Sequence, residues 1–182
     1  MEFIKKNPKI FILSGKAESG KNECASIIKT YYNNLGLKTV VISYAYYLKL
    51  YAKEVLGWDG SESTKPRDFL QQVGVELIKN KINPNMLIDR VIDDIKVYSY
   101  FFDVIVISDA RFVDEISVVK NSFSNVSVIH INGKDNSLTD EQRVHSTEIG
   151  LDSYDDYDFI INNDGSKDEL KKNILEVLKW IK

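Results

Sequence analysis

Cysteine and long apolar runs are scarce in this chain of 182 residues, and each shortage excludes a class of protein. Cys24 is the sole cysteine, so no disulfide bond can form within the chain. No stretch of about 18 apolar residues occurs, so we expect no membrane-spanning helix and no membrane partner. The first residues lack the apolar core of a secretory signal peptide. We therefore expect a cytoplasmic protein.

An excess of either charge is also absent. The chain has 24 Lys and Arg residues against 27 Asp and Glu residues, and its net charge is -3. A protein that coats nucleic acid carries a basic patch, so we expect no nucleic-acid partner. Hydrophobic residues make up 43% of the chain, which is enough for one sizeable core, and we expect a single domain over residues 1–182. Composition leaves both a monomer and a homodimer open.

Short apolar runs alternate with helical patterns along the chain. Most of the runs are continuously apolar, which is typical of strands covered on both faces. The predicted strands are Lys9–Leu13, Thr39–Ser43, Val104–Ser108, Val126–Ile131 and Tyr157–Ile161. The predicted helices are Asn22–Leu35, Ala45–Leu56, Pro66–Asn80, Pro84–Val97, Asp114–Asn121 and Ser166–Ile181. This alternation predicts an α/β fold, a three-layer α/β/α sandwich with a mainly parallel five-stranded sheet.

Only three prolines occur, and two of them mark a break in this alternation. Pro66 and Pro84 stand at the starts of two successive helical patterns, where a missing N–H costs little. This pair of helices lies between the second and third predicted strands. We interpret residues 66–97 as a helical substrate-binding insertion over the carboxyl edge of the sheet, because ligands bind at that edge in this architecture.

The strongest motif is Gly15-Lys16-Ala17-Glu18-Ser19-Gly20-Lys21, which lies between the first predicted strand and the first predicted helix. It matches the phosphate-binding pattern G-x-x-x-x-G-K. In this context several backbone N–H groups and the positive end of a helix dipole surround one small volume. Lys21 is expected to reach the β- and γ-phosphates of a nucleotide and to act in catalysis.

Asn22 and Glu23 follow the loop and are included in the predicted nucleotide site. Asn22 stands where the pattern usually has Ser or Thr, whose hydroxyl holds Mg²⁺. An amide oxygen can also ligate a hard cation or hold one of its waters. Asn22 is therefore a candidate metal ligand.

A second motif, Asp109-Ala110-Arg111, comes at the end of the third predicted strand, directly after Ser108. In a phosphate-loop protein the Asp109 carboxylate would face a metal ion or a polar substrate group. Asp109 is therefore a candidate catalytic residue, metal ligand and substrate ligand. The planar guanidinium group of Arg111 is suited to phosphate oxygens, and we expect Arg111 to bind substrate and act in catalysis. The alternative is an ordinary turn followed by a surface arginine.

The insertion carries further candidates for contact with substrate. Arg67, Gln71 and Gly74 are spaced i, i+4 and i+7, so a helix would place them on one face. An amide such as that of Gln71 can read the edge of a base, and Arg67 can hold a phosphate. Lys49, on the preceding helix, is a further phosphate-contact candidate. The alternative is a polar helix face on which Gly74 permits close packing.

A polar segment between the last two predicted strands is the candidate lid. Residues 132–148 lie where phosphotransferases of this architecture place a segment that closes over the site and excludes water, with Gly133 as a possible hinge. Arg143 is a candidate catalytic residue that stabilises charge on the transferring phosphoryl group, with a solvated helix face as the alternative. His130 and His145 are interpreted as structural.

The turn after the last predicted strand has two expected roles. Asn163 would lie beside the phosphate loop, near the expected adenine position. Ser166 is a good N-cap for the last helix, and Glu169 three residues later completes a capping box.

These motifs together resemble the deoxynucleoside monophosphate kinases of phage type, found in phages and prophages. The matching pieces are Ser14-Gly15-Lys16, Ser19-Gly20-Lys21, Ala45 with Leu48-Lys49, Arg67 with Leu70-Gln71, Gly74 with Glu76, Ser108-Asp109-Ala110-Arg111-Phe112 with Glu115, His145-Ser146-Thr147-Glu148 and Asn163-Asp164-Gly165-Ser166. The resemblance implies a P-loop kinase that moves the γ-phosphate of ATP to a deoxynucleoside monophosphate with Mg²⁺. It assigns residues 15–22 to ATP and Arg67, Gln71, Asp109 and Arg111 to the acceptor.

Other functions share parts of this pattern. The layout is also similar to that of animal-type phosphomevalonate kinases, which share the loop and the Ser-Asp-x-Arg strand end, and less closely to dephospho-coenzyme A kinase. A GTP-dependent switch is disfavoured, because its guanine-reading Asn-Lys-x-Asp pattern is absent. A nucleotide-binding module without catalysis is the remaining alternative.

Overall fold

The computed structural model describes residues 2–133 and 149–181. It contains a five-stranded sheet of β1 (Lys9–Ser14), β2 (Thr39–Ile42), β3 (Val104–Ala110), β4 (Val126–Gly133) and β5 (Phe159–Asn163). The strand order is β2-β3-β1-β4-β5, and every neighbouring pair is parallel. The predicted strands are confirmed with ends shifted by up to two residues, and the sheet is parallel throughout rather than mainly.

Helices connect these strands in the expected order. They are α1 (Lys21–Asn34), α2 (Ala45–Leu56), α3 (Arg67–Gln71), α4 (Met86–Tyr98), α5 (Val113–Ser122) and α6 (Lys167–Trp180), and a π-helix (Gln72–Ile82) directly follows α3. Within the described ranges, no helix is both long enough and apolar enough to cross a bilayer.

Alternate residues of β1 face opposite sides of the sheet, and each side has its own core. Ile10 and Ile12 pack with the buried residues of α4 and α5, such as Ile95. Phe11 and Leu13 pack with the buried residues of α1 and α6. Because both faces are covered there, the central strands β1 and β3 are buried almost without alternation, and the three-layer α/β/α sandwich is confirmed.

A third, smaller core holds together the helices of the segment between β2 and β3. Leu48 and Ala52 of α2 pack with Leu70 of α3 and with Ile78 of the π-helix. This cluster lies apart from the two cores of the sheet, and it fixes the walls of the cleft described below.

The prediction of one regular helix over Pro66–Asn80 is wrong. Regular α-helix ends at Gln71, and the chain continues with the i→i+5 hydrogen bonding of a π-helix. Gly74, a weak helix former, lies at this change and packs closely on α2, since a β-carbon added there would be 3.0 Å from Leu48 Cδ1. Such helices are rare beyond one turn, so tertiary packing rather than local propensity stabilises this one.

Candidate active site

The loop between β1 and α1 has the backbone conformation that its glycines permit. Gly15 and Gly20 have φ values of 138° and 99°. A β-carbon at Gly15 would clash with the carbonyl oxygen of Ile131, and one at Gly20 would lie 2.5 Å from Asn163 Nδ2. Glycine is therefore required at both positions, for conformation and for close packing.

Lys21, the first residue of α1, is folded back over this loop. Its Nζ donates to the carbonyl oxygen of Gly15 at 2.7 Å and also to that of Lys16, and it lies 3.4 Å from Ser19 Oγ. The side chain is buried. The ammonium group is thus held at the centre of the loop, on oxygen atoms that phosphate oxygens could replace.

The turn after β5 braces the same loop. Asn163 Nδ2 donates to the carbonyl oxygen of Ser19 at 3.0 Å. Gly133, at the end of β4, approaches Ser19 so closely that a β-carbon would clash with the Ser19 backbone. The capping box of Ser166 and Glu169 is present, as predicted. Asn163 therefore contacts the backbone of the phosphate loop.

Asp109 lies inside β3 and caps a helix from another part of the chain. Its Oδ1 accepts a hydrogen bond from Tyr44 N at 2.9 Å, and its Oδ2 accepts one from Ala45 N at 3.0 Å. These are N–H groups at the start of α2, where a negative charge is also favoured by the helix dipole. The contact fixes α2, and with it Lys49, against the carboxyl end of the sheet.

Glu115 is a residue of this site that the sequence reasoning did not single out as functional. Its Oε2 accepts hydrogen bonds from Arg111 N at 2.6 Å and from Phe112 N at 3.1 Å. Tyr44 Oη donates to its carbonyl oxygen at 2.7 Å. Burial raises the pKa of the Glu115 carboxyl to about 8. A glutamate three residues after a helix N-cap is a recognised capping signal, and that signal could have found it.

A cleft of about 350 Å³ lies between the phosphate loop, α2, α3, the π-helix and the end of β3. Ten of the predicted site residues line it: Ala17, Glu18, Gly20, Lys21, Asn22, Lys49, Arg67, Gln71, Asp109 and Arg111. Apolar side chains line it as well, namely Leu48, Leu70, Val75, Ile78, Leu87 and Ile88. The cleft thus joins an end lined by lysine and arginine side chains to an apolar wall.

Acidic side chains accompany the basic ones at the mouth of this cleft. Arg67 Nη2 lies 3.3 Å from Glu18 Oε1 and 3.6 Å from Glu62 Oε1. Lys65 Nζ lies 2.9 Å from Glu62 Oε1. These lysine and arginine neighbours lower the pKa of Glu62, with the hydrogen bond from Lys65 as the main cause.

A second cavity, of about 330 Å³, lies on the other side of the phosphate loop. Lys16 and Arg111 line it, so Arg111 borders both cavities. His130 Nδ1 is 3.0 Å from Ser14 Oγ, its ring packs on Tyr157, and burial lowers its pKa. These contacts agree with a structural histidine.

Most of the predicted lid lies outside the described residues. Of residues 132–148, Asn132 and Gly133 end β4, and the remainder lies outside the described residues, together with the predicted catalytic Arg143 and with His145. Their roles stay predictions.

The predicted metal ligands of the cleft are one amide and one carboxylate. Asn22 and Asp109 both line it, and over residues 2–133 and 149–181 no cluster of three or more His, Cys, Asp or Glu side chains could hold a metal. This donor set does not form a protein cage. It fits Mg²⁺, which is usually held by one or two protein oxygens together with substrate phosphates and water.

The parallel sheet, with a glycine loop and lysine at the carboxyl end of β1, defines the fold as that of the P-loop proteins. Solved structures with this fold include APS kinase CysC from Mycobacterium tuberculosis in complex with AMPPNP and APS, with a TM-score of 0.52 and 13% identity over 96% of this chain and 99% of that chain. A suspected kinase from Chloroflexus aurantiacus has a TM-score of 0.52 and 13% identity over 97% of this chain and 99% of that chain.

The family is shown by sequence. A family model described as deoxynucleotide monophosphate kinase matches residues 38–174, more than half of the chain, and the chain belongs to that family. The match includes Lys49, Arg67, Gln71, Asp109 and Arg111 of the cleft, and the glycine loop precedes it. No curated protein matches the chain.

Proposed function

We propose that this kinase transfers the γ-phosphate of ATP to a (deoxy)nucleoside monophosphate. The observation that carries the proposal is the cleft in which the phosphate loop meets Lys49, Arg67, Gln71 and Arg111. Four elements distant in sequence converge there. Family membership supports a deoxynucleotide as the acceptor.

The donor end of the site is the phosphate loop. Lys21 would exchange its bonds to loop carbonyl groups for bonds to the β- and γ-phosphates, at little cost because its position hardly changes. Mg²⁺, bound to the ATP phosphates and supported by Asn22, would supply Lewis-acid neutralisation of their charge. Asn163 holds the loop backbone from the opposite side.

The acceptor end combines charge with apolar surface. A nucleoside monophosphate has a dianionic phosphate, which Arg67, Lys49 and Arg111 would bind, and a flat base, which would lie on the apolar wall. Gln71 lines the same cleft and can donate and accept hydrogen bonds at a base edge. Arg111 is a planar donor to phosphate oxygens and its backbone is anchored by Glu115.

Asp109 would contribute to the reaction by positioning α2. Both of its oxygens already accept N–H groups of α2, so it orients Lys49 and the acceptor wall relative to the loop. Each oxygen keeps a free lone pair, which leaves contact with a metal-bound water open to it.

A coupled ADP-release assay tests this proposal. The acceptors would be the four common deoxynucleoside monophosphates, their ribonucleotide counterparts, phosphomevalonate and dephospho-coenzyme A. We expect turnover with at least one deoxynucleoside monophosphate and none with the last two compounds. Turnover with phosphomevalonate or dephospho-coenzyme A alone would replace the proposal with that activity, and binding of ATP without turnover of any acceptor would indicate a binding module.

The matched control is Lys21→Ala, a change at a side chain that bonds mainly to its own loop. One donor lost from a transferring charge costs about 2.7–4 kcal/mol, so turnover should fall by about 100-fold or more while circular dichroism stays unchanged. Near-normal turnover in the folded variant would remove Lys21 from the mechanism.

A further inference from the structure

An ion pair links the phosphate loop to the acceptor-binding helix. Glu18 lies in the loop, Arg67 is the first residue of α3, and Glu18 Oε1 lies 3.3 Å from Arg67 Nη2. The residues are 49 positions apart in sequence, and both line the acceptor cleft. The two elements that would bind donor and acceptor are therefore in direct electrostatic contact.

The backbone of Glu18 has a conformation that is unusual for a residue other than glycine. Its φ is 58°, in the left-handed region that residues other than glycine seldom adopt. Its neighbour in sequence, Ser19, is buried and is tied through its backbone to Asn163. The loop therefore fixes where the Glu18 carboxylate is presented, and that place is the acceptor side of the loop.

The carboxylate of Glu18 competes with any phosphate for Arg67. An acceptor phosphate that approaches Arg67 would meet a negative charge already bonded to it, and two anions in a partly desolvated cleft repel each other. The ion pair between Glu18 and Arg67 would thus lower the affinity for the acceptor. Donor phosphates in the loop would place further negative charge beside Glu18 and repel its carboxylate away from Arg67.

We propose that Glu18 couples the two substrate sites, so that ATP in the phosphate loop releases Arg67 for the acceptor phosphate. The inference rests on the proposed function, since it requires a donor in the loop and a phosphate in the cleft. Its consequence is positive cooperativity: the acceptor binds more tightly when the donor is present, and the donor gains by the same factor.

The size of the effect follows from the exposure of the pair. The side chains of Arg67 and Glu18 are 41% and 49% exposed, and exposed ion pairs contribute modestly to affinity or stability. We therefore expect Glu18 to account for about a two- to five-fold change in acceptor affinity, which titration calorimetry can resolve.

Glu62 provides a matched control. It also contacts Arg67, at 3.6 Å, but it lies outside the phosphate loop. Glu62→Gln removes a competing carboxylate from Arg67 without touching the loop. Glu62→Gln should raise acceptor affinity by a similar factor whether or not the donor is present. Glu18→Gln should raise acceptor affinity only when the donor is absent.

The experiment is calorimetric titration of dAMP, dCMP, dGMP and dTMP into wild type, Glu18→Gln and Glu62→Gln, each with and without saturating AMPPNP and Mg²⁺. In wild type, AMPPNP should raise the affinity for the acceptor. In Glu18→Gln this enhancement should shrink by about two- to five-fold, because affinity without AMPPNP rises, and in Glu62→Gln it should be unchanged.

Two kinds of result would overturn the inference and are separable from failure of the proposed function. Three results would show that Glu18 is not the coupling residue while leaving the acceptor site in place: AMPPNP does not enhance acceptor affinity in wild type, the enhancement persists in Glu18→Gln, or the enhancement falls equally in Glu62→Gln. If no deoxynucleoside monophosphate binds wild type even with AMPPNP, the proposed function fails and the coupling fails with it.

Discussion

At the scale of single residues, the functional side chains are positioned mainly by partners distant in sequence. The glycine loop, Lys21 and Arg67 follow from local patterns, and the sequence predicts them. The bonds from Asp109 to Tyr44 and Ala45 span 65 and 64 residues, and the contact of Glu18 with Arg67 spans 49. A single sequence contains no signal for such pairs, so the electrostatic state of the cleft could not be predicted.

Glu115 gives a pH dependence that can be measured. Its pKa is raised from an ordinary value of 4.5 to about 8 because the charged form is buried. The folded protein therefore holds a proton that the unfolded chain has lost, and stability should fall as the pH rises from about 5 to about 8. Urea unfolding across this range should show a loss of about 1 kcal/mol or more that Glu115→Gln lacks.

The comparison with Glu115→Gln is needed because His130 acts in the opposite direction. Burial lowers the pKa of His130, so its contribution to stability grows as the pH rises through the ordinary histidine value of 6.5. Subtracting the curve of the variant removes that term. Equal pH dependence in wild type and Glu115→Gln would show that Glu115 is not protonated in the folded state.

At the scale of elements, the strands were the most predictable part of the chain. Each is four to eight residues long and mostly apolar, and only the strand ends differ from the prediction. The α2–α3–π-helix unit was less predictable. Its helical patterns are visible, but the change to a π-helix at Gln72 depends on how Gly74 packs against Leu48, which no local pattern reports.

Asp109→Ala tests the attachment of α2 to the sheet. The change leaves two N–H groups at the helix start without their acceptor, and loss of such a cap costs about 0.5–2 kcal/mol. Chemical unfolding should show this loss, and Lys49 should be displaced from the cleft. Asp109→Asn retains one carbonyl acceptor and should lose less; equal losses in both variants would mean that the charge, not the geometry, matters.

Gln71 tests the assignment of α3 to base recognition. Gln71→Ala removes an amide that lines the cleft and can donate and accept at the edge of a base. The ranking of the four deoxynucleoside monophosphates by kcat/KM should change, while the Kd for ATP stays within about three-fold. A uniform decrease for all four acceptors would show that Gln71 supports the cleft without reading the base.

At the scale of the whole molecule, the alternation of strands and helices was sufficient to predict an α/β/α sandwich. Two apolar cores cover the sheet, and the third attaches the insertion. The order β2-β3-β1-β4-β5 places the phosphate loop at the centre of the sheet, with the cleft on the side of β3 and α2. The sequence predicted which residues approach this edge, but not that Arg111 borders two cavities.

The central claim is transfer of a phosphoryl group between two nucleotides, and direct detection of both products by ³¹P NMR tests it. With ATP, Mg²⁺ and the deoxynucleoside monophosphate that gives the fastest ADP release, the account predicts ADP and a deoxynucleoside diphosphate in equal amounts. It also predicts no inorganic phosphate above the level seen with Lys21→Ala. ADP accompanied by inorganic phosphate, with no diphosphate formed from the acceptor, would contradict the account and identify a hydrolase.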